Sequence, residues 1–475
     1  MTRHDMRSTC ALAALVLSAC AASQPVQPPP PDSTQTQAFL DTVERRTFNY
    51  FWLLTNSGNG LTPDRAPSPS FSSIAAVGFA LTAYPIGAER GYVTRAQARD
   101  RTLATMQFLW TATQDSSATA TGYRGFFYHF LDINTGARFQ TVELSTIDSA
   151  LLLAGVLTCQ SYFDNVADSG ETQVRRLADS IYRRVNWRWI SPRAPLVAMG
   201  WKPESQFLAY DWRGYNEAMI LYILALGSPT YPIDSTAWAA WTANYQWGTF
   251  EGQPHVGFAP LFGHQYSHVW IDFKGIADPY MQGKGIDYFE NSRRATLAQR
   301  TYAGANPNLW RGYGANLWGL SASDGPADVT LNVGGRSRQF HTYFARGASF
   351  TEIQDDGTVA PTALGGSVPF APEIAIPTLY AMRRTYGANL FSTYGFLDAL
   401  NPTFPTNATP SMGHVVAGVG WFDTDYLGID QGPILAMIEN YRTGLIWRLM
   451  RGNSYIVKGL CRAGFVGGWL TGKCP

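Results

Sequence analysis

Two kinds of predicted helix alternate along most of this chain. Helices with one apolar stripe and one charged face are predicted at roughly 37–55, 94–113, 170–187 and 285–302. Helices that are apolar on most sides are predicted at 72–84, 145–161, 217–227, 373–386 and 433–450. With few segments predicted as strands, this alternation favours an all-α toroid with an inner and an outer ring of helices. A solenoid is the alternative, although no repeat of fixed period is visible.

Polar residues mark the places where the apolar helices begin. These starts are 72–73, 145–148, 216–217, 372–373 and 430–433, the last with Pro433 well placed as a first helical residue. If the inner helices run parallel, their starts gather at one mouth of the toroid. That arrangement predicts a cleft lined by carboxylates and aromatic rings, which is where binding and catalysis are expected.

The segment DWRGYNEAM (211–219) is central to this pattern. Asn216 is predicted to cap a buried helix whose first turn carries Glu217, a candidate catalytic carboxylate. Trp212, Arg213 and Tyr215 flank it and are candidate substrate-binding residues. The structural alternative is that Glu217 only complements the positive end of its own helix.

A second pair of carboxylates lies at the start of the helix predicted at 145–161. Ser145 and Asp148 are three residues apart and form a possible capping box, which is enough to explain Asp148. Glu143 precedes the cap and is not needed by it. Glu143 is therefore the freer catalytic candidate of the two.

His264, His268 and Asp272 follow one another at intervals of four residues. On a helix they would share one face, as metal ligands can. The metalloprotease pattern, however, requires Glu where this chain has Gln265. Hydrogen bonds to sugar hydroxyls, or a buried polar network, are therefore favoured over a metal, and neither a metal nor a cofactor is predicted for the chemistry.

Composition excludes one class of partner and permits another. Net charge is +1 and charged residues make up 15% of the chain, so the basic footprint of a nucleic-acid-binding protein is missing. Aromatic residues reach 14%. Their rings suit stacking on sugars but are equally ordinary core material, so they permit a carbohydrate enzyme without establishing one.

The N-terminus is typical of an exported protein. Arg3 and Arg7 precede an apolar run at 11–16 that is too short to span a bilayer. The run leads into LSAC (17–20), which resembles a bacterial lipobox. That resemblance implies a signal peptide at 1–19, cleavage before Cys20, a lipid on the Cys20 sulfur and, because Asp is not the next residue, the outer membrane. An ordinary secretory signal is the alternative.

Residues 20–36 are rich in Pro, Gln and Ser and are predicted to form an extended tether. Cys159 lies among apolar residues and is predicted to be a core thiol. Cys461 and Cys474 are able to pair in an oxidising compartment. No cysteine is predicted to bind a metal or to act as a nucleophile.

Six motifs, taken together, resemble those of the bacterial glucoamylase-like family, whose members include endo-β-1,2-glucanases. They are ELSTIDSALLL (143–153), GYNEAM (214–219), HQYSH (264–268), YFENSR (288–293), FAPE (370–373) and GIDQGP (428–433). The likeness covers roughly 37–470 in the family's order. It implies one catalytic domain at 37–475 with the (α/α)₆ toroid fold, and hydrolysis with inversion. Related domains in cyclic β-1,2-glucan synthases are transglycosylases, which is an alternative outcome.

These observations predict a lipid-anchored glycoside hydrolase of the periplasm or outer membrane that acts on β-1,2-glucan oligosaccharides or polysaccharides. Glu217 is the predicted acid, and the predicted base is Glu143, then Asp148, then Asp430 or Glu373. Asp430 and Glu373 are also candidate substrate-binding residues. The alternatives are an enzyme for another glucan and a non-catalytic glycan-binding lipoprotein, and the number of carboxylates at the predicted cleft favours an enzyme.

Overall fold

Helices dominate the computed structural model, which describes residues 33–474. The predicted signal peptide, Cys20 and most of the predicted tether lie outside the described residues. The described α-helices are α1 Ser33–Leu54, α2 Ile74–Glu89, α3 Arg95–Thr111, α4 Thr146–Tyr162, α5 Ser169–Arg183, α6 Met219–Gly227, α7 Thr236–Thr242, α8 Tyr266–Trp270, α9 Pro279–Gln282, α10 Tyr288–Ala305, α11 Pro361–Gly365, α12 Pro372–Tyr386, α13 Gly428–Arg442, α14 Leu445–Gly452 and α15 Ser454–Arg462.

Helices of two kinds alternate in the order that the hydrophobic pattern predicts. The helices α2, α4, α6, α8, α11 and α13 are buried on nearly all sides. The helices α1, α3, α5, α7, α10 and α12 bury one face each. Six buried helices alternating with six half-buried ones make an (α/α)₆ toroid, so the predicted fold class is confirmed. No described helix combines the length and the apolar character needed to cross a bilayer.

Close packing joins the buried helices into a ring. Helix α2 packs on α4 and α13, α4 on α6, α6 on α8, and α13 on α8 and α11. Gly78 of α2 and Gly155 of α4 lie where two backbones meet, since a Cβ added to Gly155 would lie 2.1 Å from the carbonyl oxygen of Gly78. The side-chain amide of Gln265 donates to the Ala363 carbonyl at 2.8 Å and connects the start of α8 to α11. The inner ring is thus held by direct helix contacts.

Three expectations about the helices are wrong. The segment predicted at 373–386 as a buried helix is α12, which carries Arg383 and Arg384 near its end and buries only one face, while the short α11 takes the inner place. The segment predicted at 433–450 is two helices, α13 and α14, because the chain turns at Gly444 with φ +67. The predicted tether ends early, since α1 begins at Ser33.

Short strands are more numerous than expected. The pairs are Arg65–Ala66 with Tyr426–Leu427, Ser72–Ser73 with Phe130–Leu131, Gly122–Tyr123 with Phe126–Phe127, Trp247–Phe250 with Gln253–Val256, Ala322–Ser323 with Phe344–Ala345, Val329–Val333 with Arg336–Phe340, Gly347–Ala348 with Ile353–Gln354, and Phe391–Ser392 with Gly395–Phe396. There are also two three-stranded sheets. In one, the strand order is Leu144–Ser145, Gly200–Lys202, Gln206–Phe207; in the other it is Leu400–Asn401, Gly420–Phe422, His414–Val416. Most have two or three residues, too few to show an alternating pattern in sequence.

Several of these strands fix the mouth of the toroid. The strands Ser72–Ser73, Leu144–Ser145 and Tyr426–Leu427 come directly before α2, α4 and α13 and pair with strands from distant loops. The loops are therefore attached to the helix starts. Side chains that follow or precede these strands are held in place at the mouth by backbone hydrogen bonds.

The cysteines behave as their positions predict. Cys461 of α15 and Cys474 form a disulfide, which attaches the C-terminal segment to the last helix. Cys159 of α4 is fully buried, and its thiol donates to the Leu81 carbonyl of α2 at 3.0 Å. Cys159 is thus a core thiol, as predicted.

Candidate active site

Three ionisable side chains meet where α2 and α4 begin. His129 is held by its backbone, since its N–H donates to the Glu143 carbonyl at 2.9 Å and its carbonyl accepts from Ile74 at 3.1 Å. The two ring nitrogens of His129 face different carboxylates. Nδ1 lies 2.8 Å from Glu143 Oε1, and Nε2 lies 3.5 Å from Asp148 Oδ2. The structure therefore brings both predicted catalytic carboxylates of this region onto one imidazole.

The electrostatics of this cluster favour a charged imidazole. Burial lowers the pKa of His129, but the negative charges of Asp148, Glu143 and Asp64 outweigh it and raise this pKa to about 9. The hydrogen bond from His129 lowers the pKa of Glu143. At neutral pH the cluster consequently contains a protonated His129 beside an ionised Glu143.

Capping explains Asp148 only in part. Ser145 is the N-cap residue of α4, and its hydroxyl oxygen accepts from the Asp148 backbone N–H at 3.3 Å. The same hydroxyl donates to the Asp148 carboxylate. Because that carboxylate also faces His129, Asp148 belongs to the ionisable cluster as well as to the helix start.

Glu217 lies in the turn before α6. The helix begins at Met219, so the expectation that Asn216 caps it with Glu217 in its first turn is wrong. Asn216 Oδ1 accepts from the Ala218 N–H at 3.0 Å instead and stabilises the turn. Ser267 of α8 holds the other side, since its hydroxyl donates to the Glu217 carbonyl at 3.0 Å and accepts from the Ile220 N–H at 2.9 Å. Glu217 is thus positioned through its backbone, which leaves its carboxyl group available.

The carboxyl group of Glu217 has the electrostatics of a proton donor. Burial, with a smaller contribution from the negative charge of Asp148, raises its pKa to about 7, although a hydrogen bond from its own backbone N–H opposes the shift. A carboxyl group with a pKa near 7 is substantially protonated at neutral pH. It is therefore suited to general acid catalysis.

A second group of carboxylates lies near Tyr266 of α8. Burial raises the pKa of Tyr266 well above its usual value, and the charges of Asp430, Glu217 and Asp148 add to the effect. Tyr266 is thus close to both Glu217 and Asp430. The structure therefore places Asp430 in the same region as the predicted acid.

Asp430 lies among other buried aspartates. Asp324, Asp398 and Asp423 each offer a carboxylate oxygen within 4.8 Å of the others. Burial raises the pKa of Asp398 well above its usual value, with the charges of Asp430 and Asp324 adding to it. Burial, Asp398 and Asp324 raise the pKa of Asp423 to about 9. We call Asp324, Asp398, Asp423 and Asp430 the aspartate cluster.

Of the aspartate cluster, the sequence identified only Asp430 as a candidate functional residue, and it did not identify His129. Asp324, Asp398 and Asp423 come from three separate loops, and only folding brings them together. Tyr343 was also missed; it is 51% exposed and lies near Asp430 and Asp398. The only local signal is a single Asp inside an aromatic or apolar loop, which is too common to be informative.

The residues that flank Glu217 serve different roles. Trp212 is mostly buried, and its indole N–H donates to Thr146 Oγ1 at 2.9 Å, which connects this segment to α4. Tyr215 is also buried, with its ring 4.9 Å from that of His264. Arg213 has an exposed side chain 3.7 Å from Asp211. Substrate binding by Trp212, Arg213 and Tyr215 stays a prediction.

The expectation that His264, His268 and Asp272 share one helical face is wrong. His264 ends the 3₁₀ turn Leu261–His264, His268 lies in the short α8, and Asp272 follows that helix. All three side chains are closed to solvent. Burial lowers the pKa of His264 to about 3, with a contribution from His255, so its imidazole is neutral.

Each member of this group has a partner of its own in the interior. His264 Nε2 lies 3.1 Å from the Phe258 carbonyl oxygen, and His268 Nε2 lies 3.1 Å from Ser292 Oγ. The Asp272 carboxylate accepts from Arg451. These contacts favour the buried network over sugar contacts.

Glu373 is not brought together with the other candidates. It lies in the first turn of α12 and forms an ion pair with Arg293 at 2.6 Å. Burial alone would raise its pKa, but the hydrogen bond from Arg293 lowers it overall. Its charged partner Arg293 is thus on α10 and belongs to neither carboxylate group.

A family model described as "Putative glucoamylase" matches residues 209–454, just over half of the chain. The chain belongs to this family. The resemblance that its motifs indicate is therefore confirmed. The match includes Glu217, α8, α12 and α13 and also the loops that carry the aspartate cluster.

Solved structures of similar proteins cover nearly the whole chain. A structure described as a putative glucoamylase from Bacteroides uniformis ATCC 8492 is 30% identical, with a TM-score of 0.77, and the match covers 92% of this chain and 99% of that one. An endo-β-1,2-glucanase from Chitinophaga pinensis, solved with sophorotriose and glucose, is 26% identical, with a TM-score of 0.78 and coverage of 92% and 99%. The likeness supports the toroid fold throughout the described residues.

A curated relative is similar over part of its own length. The exo-β-1,2-glucooligosaccharide sophorohydrolase (non-reducing end) of Parabacteroides distasonis is 28% identical over 461 residues. The match covers 89% of this chain and 57% of that protein. The chain thus spans little more than half the length of this relative.

Proposed function

We propose that this protein is a glycoside hydrolase that cleaves β-1,2-glucan with inversion at the anomeric carbon. The observation that carries the proposal is the Glu217 carboxyl group, whose pKa of about 7 provides an acid at the mouth of the toroid. The choice of substrate rests on the similarity to proteins named as hydrolases of β-1,2-linked glucans.

Glu217 protonates the glycosidic oxygen as the bond to the leaving sugar breaks. The protonated side chain transfers its proton to that oxygen, and charge builds up at the anomeric carbon as in an oxocarbenium ion. Burial and the negative charge of Asp148 hold the proton on Glu217 until it is needed. Asp148 therefore supports the acid electrostatically.

An inverting enzyme also needs an ionised carboxylate that takes a proton from water on the other face of the sugar. Glu143 is the best candidate, because His129 lowers its pKa and its side chain is partly open to solvent. His129 in turn fixes the orientation of Glu143 through the 2.8 Å hydrogen bond. The water adds to the anomeric carbon, its proton goes to Glu143, and the product is the α-anomer.

The test is an assay of new reducing ends on linear β-1,2-glucan, starch and β-1,3-glucan. The proposal expects products from the β-1,2-glucan alone, released as the α-anomer when followed by NMR at early times. Release of the β-anomer would exclude inversion, and products from starch instead would reassign the substrate. Tight binding of the glucan with no product, by protein of intact fold, would support a glycan-binding role.

We also propose that the protein is exported and anchored to the outer membrane through a lipid on Cys20. The support is the lipobox resemblance of residues 17–20, which lie outside the described residues. Cys20→Ala is expected to leave the precursor without lipid and uncleaved at that site. Mass spectrometry that finds another mature N-terminus and no acyl mass on Cys20 contradicts the proposal.

A further inference from the structure

The aspartate cluster assembles from widely separated parts of the chain. Asp324 follows the strand Ala322–Ser323, and Asp398 lies between the strands Gly395–Phe396 and Leu400–Asn401. Asp423 follows the strand Gly420–Phe422, and Asp430 belongs to α13. All four are at most 2% exposed. Four buried carboxylates on separate elements carry a large electrostatic cost unless something compensates them.

Several oxygens of the cluster accept no hydrogen bond from a donor group. Asp398 Oδ1, Asp423 Oδ2 and Asp430 Oδ2 are buried in this way, although the side chains of Asp398 and Asp430 are close enough to share a proton. Buried polar atoms are nearly always hydrogen-bonded, and an unpaired one is costly, most of all when it is charged. These oxygens therefore indicate a ligand that accepts their lone pairs.

Positive charge from side chains reaches only one side of the cluster. Arg65 Nη1 lies 2.7 Å from Asp324 Oδ2 and 3.7 Å from Asp425 Oδ2. Within residues 33–474, no Lys, Arg or His lies at ion-pair distance from Asp398, Asp423 or Asp430. When these three carboxyl groups ionise, no cationic side chain of the described residues balances their charge.

The chemistry of the oxygens distinguishes between cations. Asp324, Asp398 and Asp423 offer oxygens within 4.8 Å of one another, with no sulfur or imidazole among them. An all-oxygen set favours a hard cation such as calcium or magnesium. Calcium accepts irregular sets of oxygen ligands, whereas magnesium demands near-octahedral geometry and keeps several of its waters. Three carboxylates from three separate loops therefore suit calcium better than magnesium.

We propose that Asp324, Asp398 and Asp423 bind a calcium ion, with Asp430 beside them and water completing the coordination. The ion connects three loops that the backbone joins only through short strands. It therefore stabilises the part of the mouth next to Tyr266. This proposal goes beyond the glucanase function and does not depend on it.

Calcium binding is measured on the full chain after exhaustive treatment with EGTA. Titration calorimetry near neutral pH is expected to show a single saturable site. Calcium at a hundredfold excess over Kd is expected to raise the Tm by about 3 °C for a chain of this size. Magnesium at the same concentration is expected to leave the Tm unchanged. If the wild-type protein fails to bind calcium, the proposal is wrong, and the aspartate cluster is neutralised by protons shared between its carboxyl groups.

Matched variants locate the ion. Asp423→Asn is expected to abolish both the binding heat and the rise in Tm. Asp328→Asn, four residues beyond Asp324 and with an exposed side chain, is the control and keeps both. Calcium binding that survives Asp423→Asn unchanged overturns the assignment.

A measurement on the unaltered protein covers the case in which Asp423→Asn does not fold. Terbium occupies calcium sites and emits when a nearby aromatic ring transfers energy to it. Tyr343 lies near Asp398, and Trp421 is two residues before Asp423. Excitation of the protein is expected to give terbium emission that calcium displaces and magnesium does not. Emission that calcium fails to displace counts against the site.

Discussion

The Nδ1 atom of His129 lies 2.8 Å from Oε1 of Glu143, and this contact favours the charged form of both side chains. It lowers the pKa of Glu143 and contributes to a His129 pKa of about 9. The backbone of His129 also donates to the Glu143 carbonyl, so the two residues are held together twice. The candidate base is therefore oriented and ionised by the same neighbour.

Replacing His129 should weaken this arrangement without removing the carboxylate. In His129→Gln the positive charge is lost, and we expect turnover to fall by about 10²-fold because Glu143 is no longer held in position. The pKa of Glu143 rises when the hydrogen bond that lowers it is removed. The acidic limb of the pH profile of kcat/KM is therefore expected to move to higher pH.

A half-exposed histidine provides the control for this variant. His414 lies in the strand His414–Val416 and is not part of the group formed by His129, Glu143 and Asp148. His414→Gln should therefore leave both turnover and the acidic limb unchanged. A His129→Gln enzyme with a normal pH profile would show that His129 does not act on the base.

Glu217→Gln should separate catalysis from folding. The amide keeps the size of the side chain and loses the proton donor, so we expect turnover to fall by about 10²- to 10⁴-fold. The fold should survive, because Ser267 holds Glu217 through its backbone carbonyl. Activity and Tm are measured on one purified preparation, and near-normal turnover would remove Glu217 from the mechanism.

The same variant should show a stability difference that depends on pH. The pKa of Glu217 is raised in the folded state, so the stability contributed by its protonated form is complete below the unfolded pKa and is lost as pH rises through about 7. Gln does not titrate. The Tm of Glu217→Gln relative to that of wild type is therefore expected to rise when the pH is raised from acidic values to above 7. A difference in Tm that stays the same at all pH values would contradict the raised pKa.

The alkaline limb of the pH profile should report the acid and its neighbour. Activity is expected to fall as pH rises through about 7, because Glu217 then loses its proton. Asp148 raises the pKa of Glu217 through its charge. In the residual activity of Asp148→Asn the alkaline limb should therefore move to lower pH, and a shift in the opposite direction would exclude this coupling.

Two glycines test the packing of the inner ring. In Gly155→Ala the new Cβ would lie 2.1 Å from the Gly78 carbonyl oxygen, so helices α2 and α4 must separate. We expect a loss of about 1–3 kcal/mol in the free energy of unfolding. Gly304→Ala is the control, since this helical position has no heavy atom within 4 Å and should gain about 0.5–1 kcal/mol. Urea unfolding of both variants measures the difference.

The spacing of apolar residues predicted the alternation of the two kinds of helix correctly, but it did not predict some of the helix boundaries. The amphipathic helix predicted at 170–187 is α5, and the apolar helix predicted at 145–161 is α4. The run at 433–450 is mostly apolar on both sides of Gly444, and its break at Gly444 depends on a left-handed backbone that apolar periodicity does not report. The five-residue α11 is shorter than the window in which such a period is measurable.

What the sequence determined by itself is local: the two kinds of helix, the cap formed by Ser145, and motifs that place the chain in its family. Tertiary structure decided which groups meet. His129 reaches Glu143 and Asp148 because strands hold its loop against α2 and α4, and Asp324, Asp398 and Asp423 meet only through loop packing. The proton affinity of Glu217 also comes from burial and from Asp148. Desolvation and charge proximity depend on distances in space, and these are not encoded by spacing along the chain.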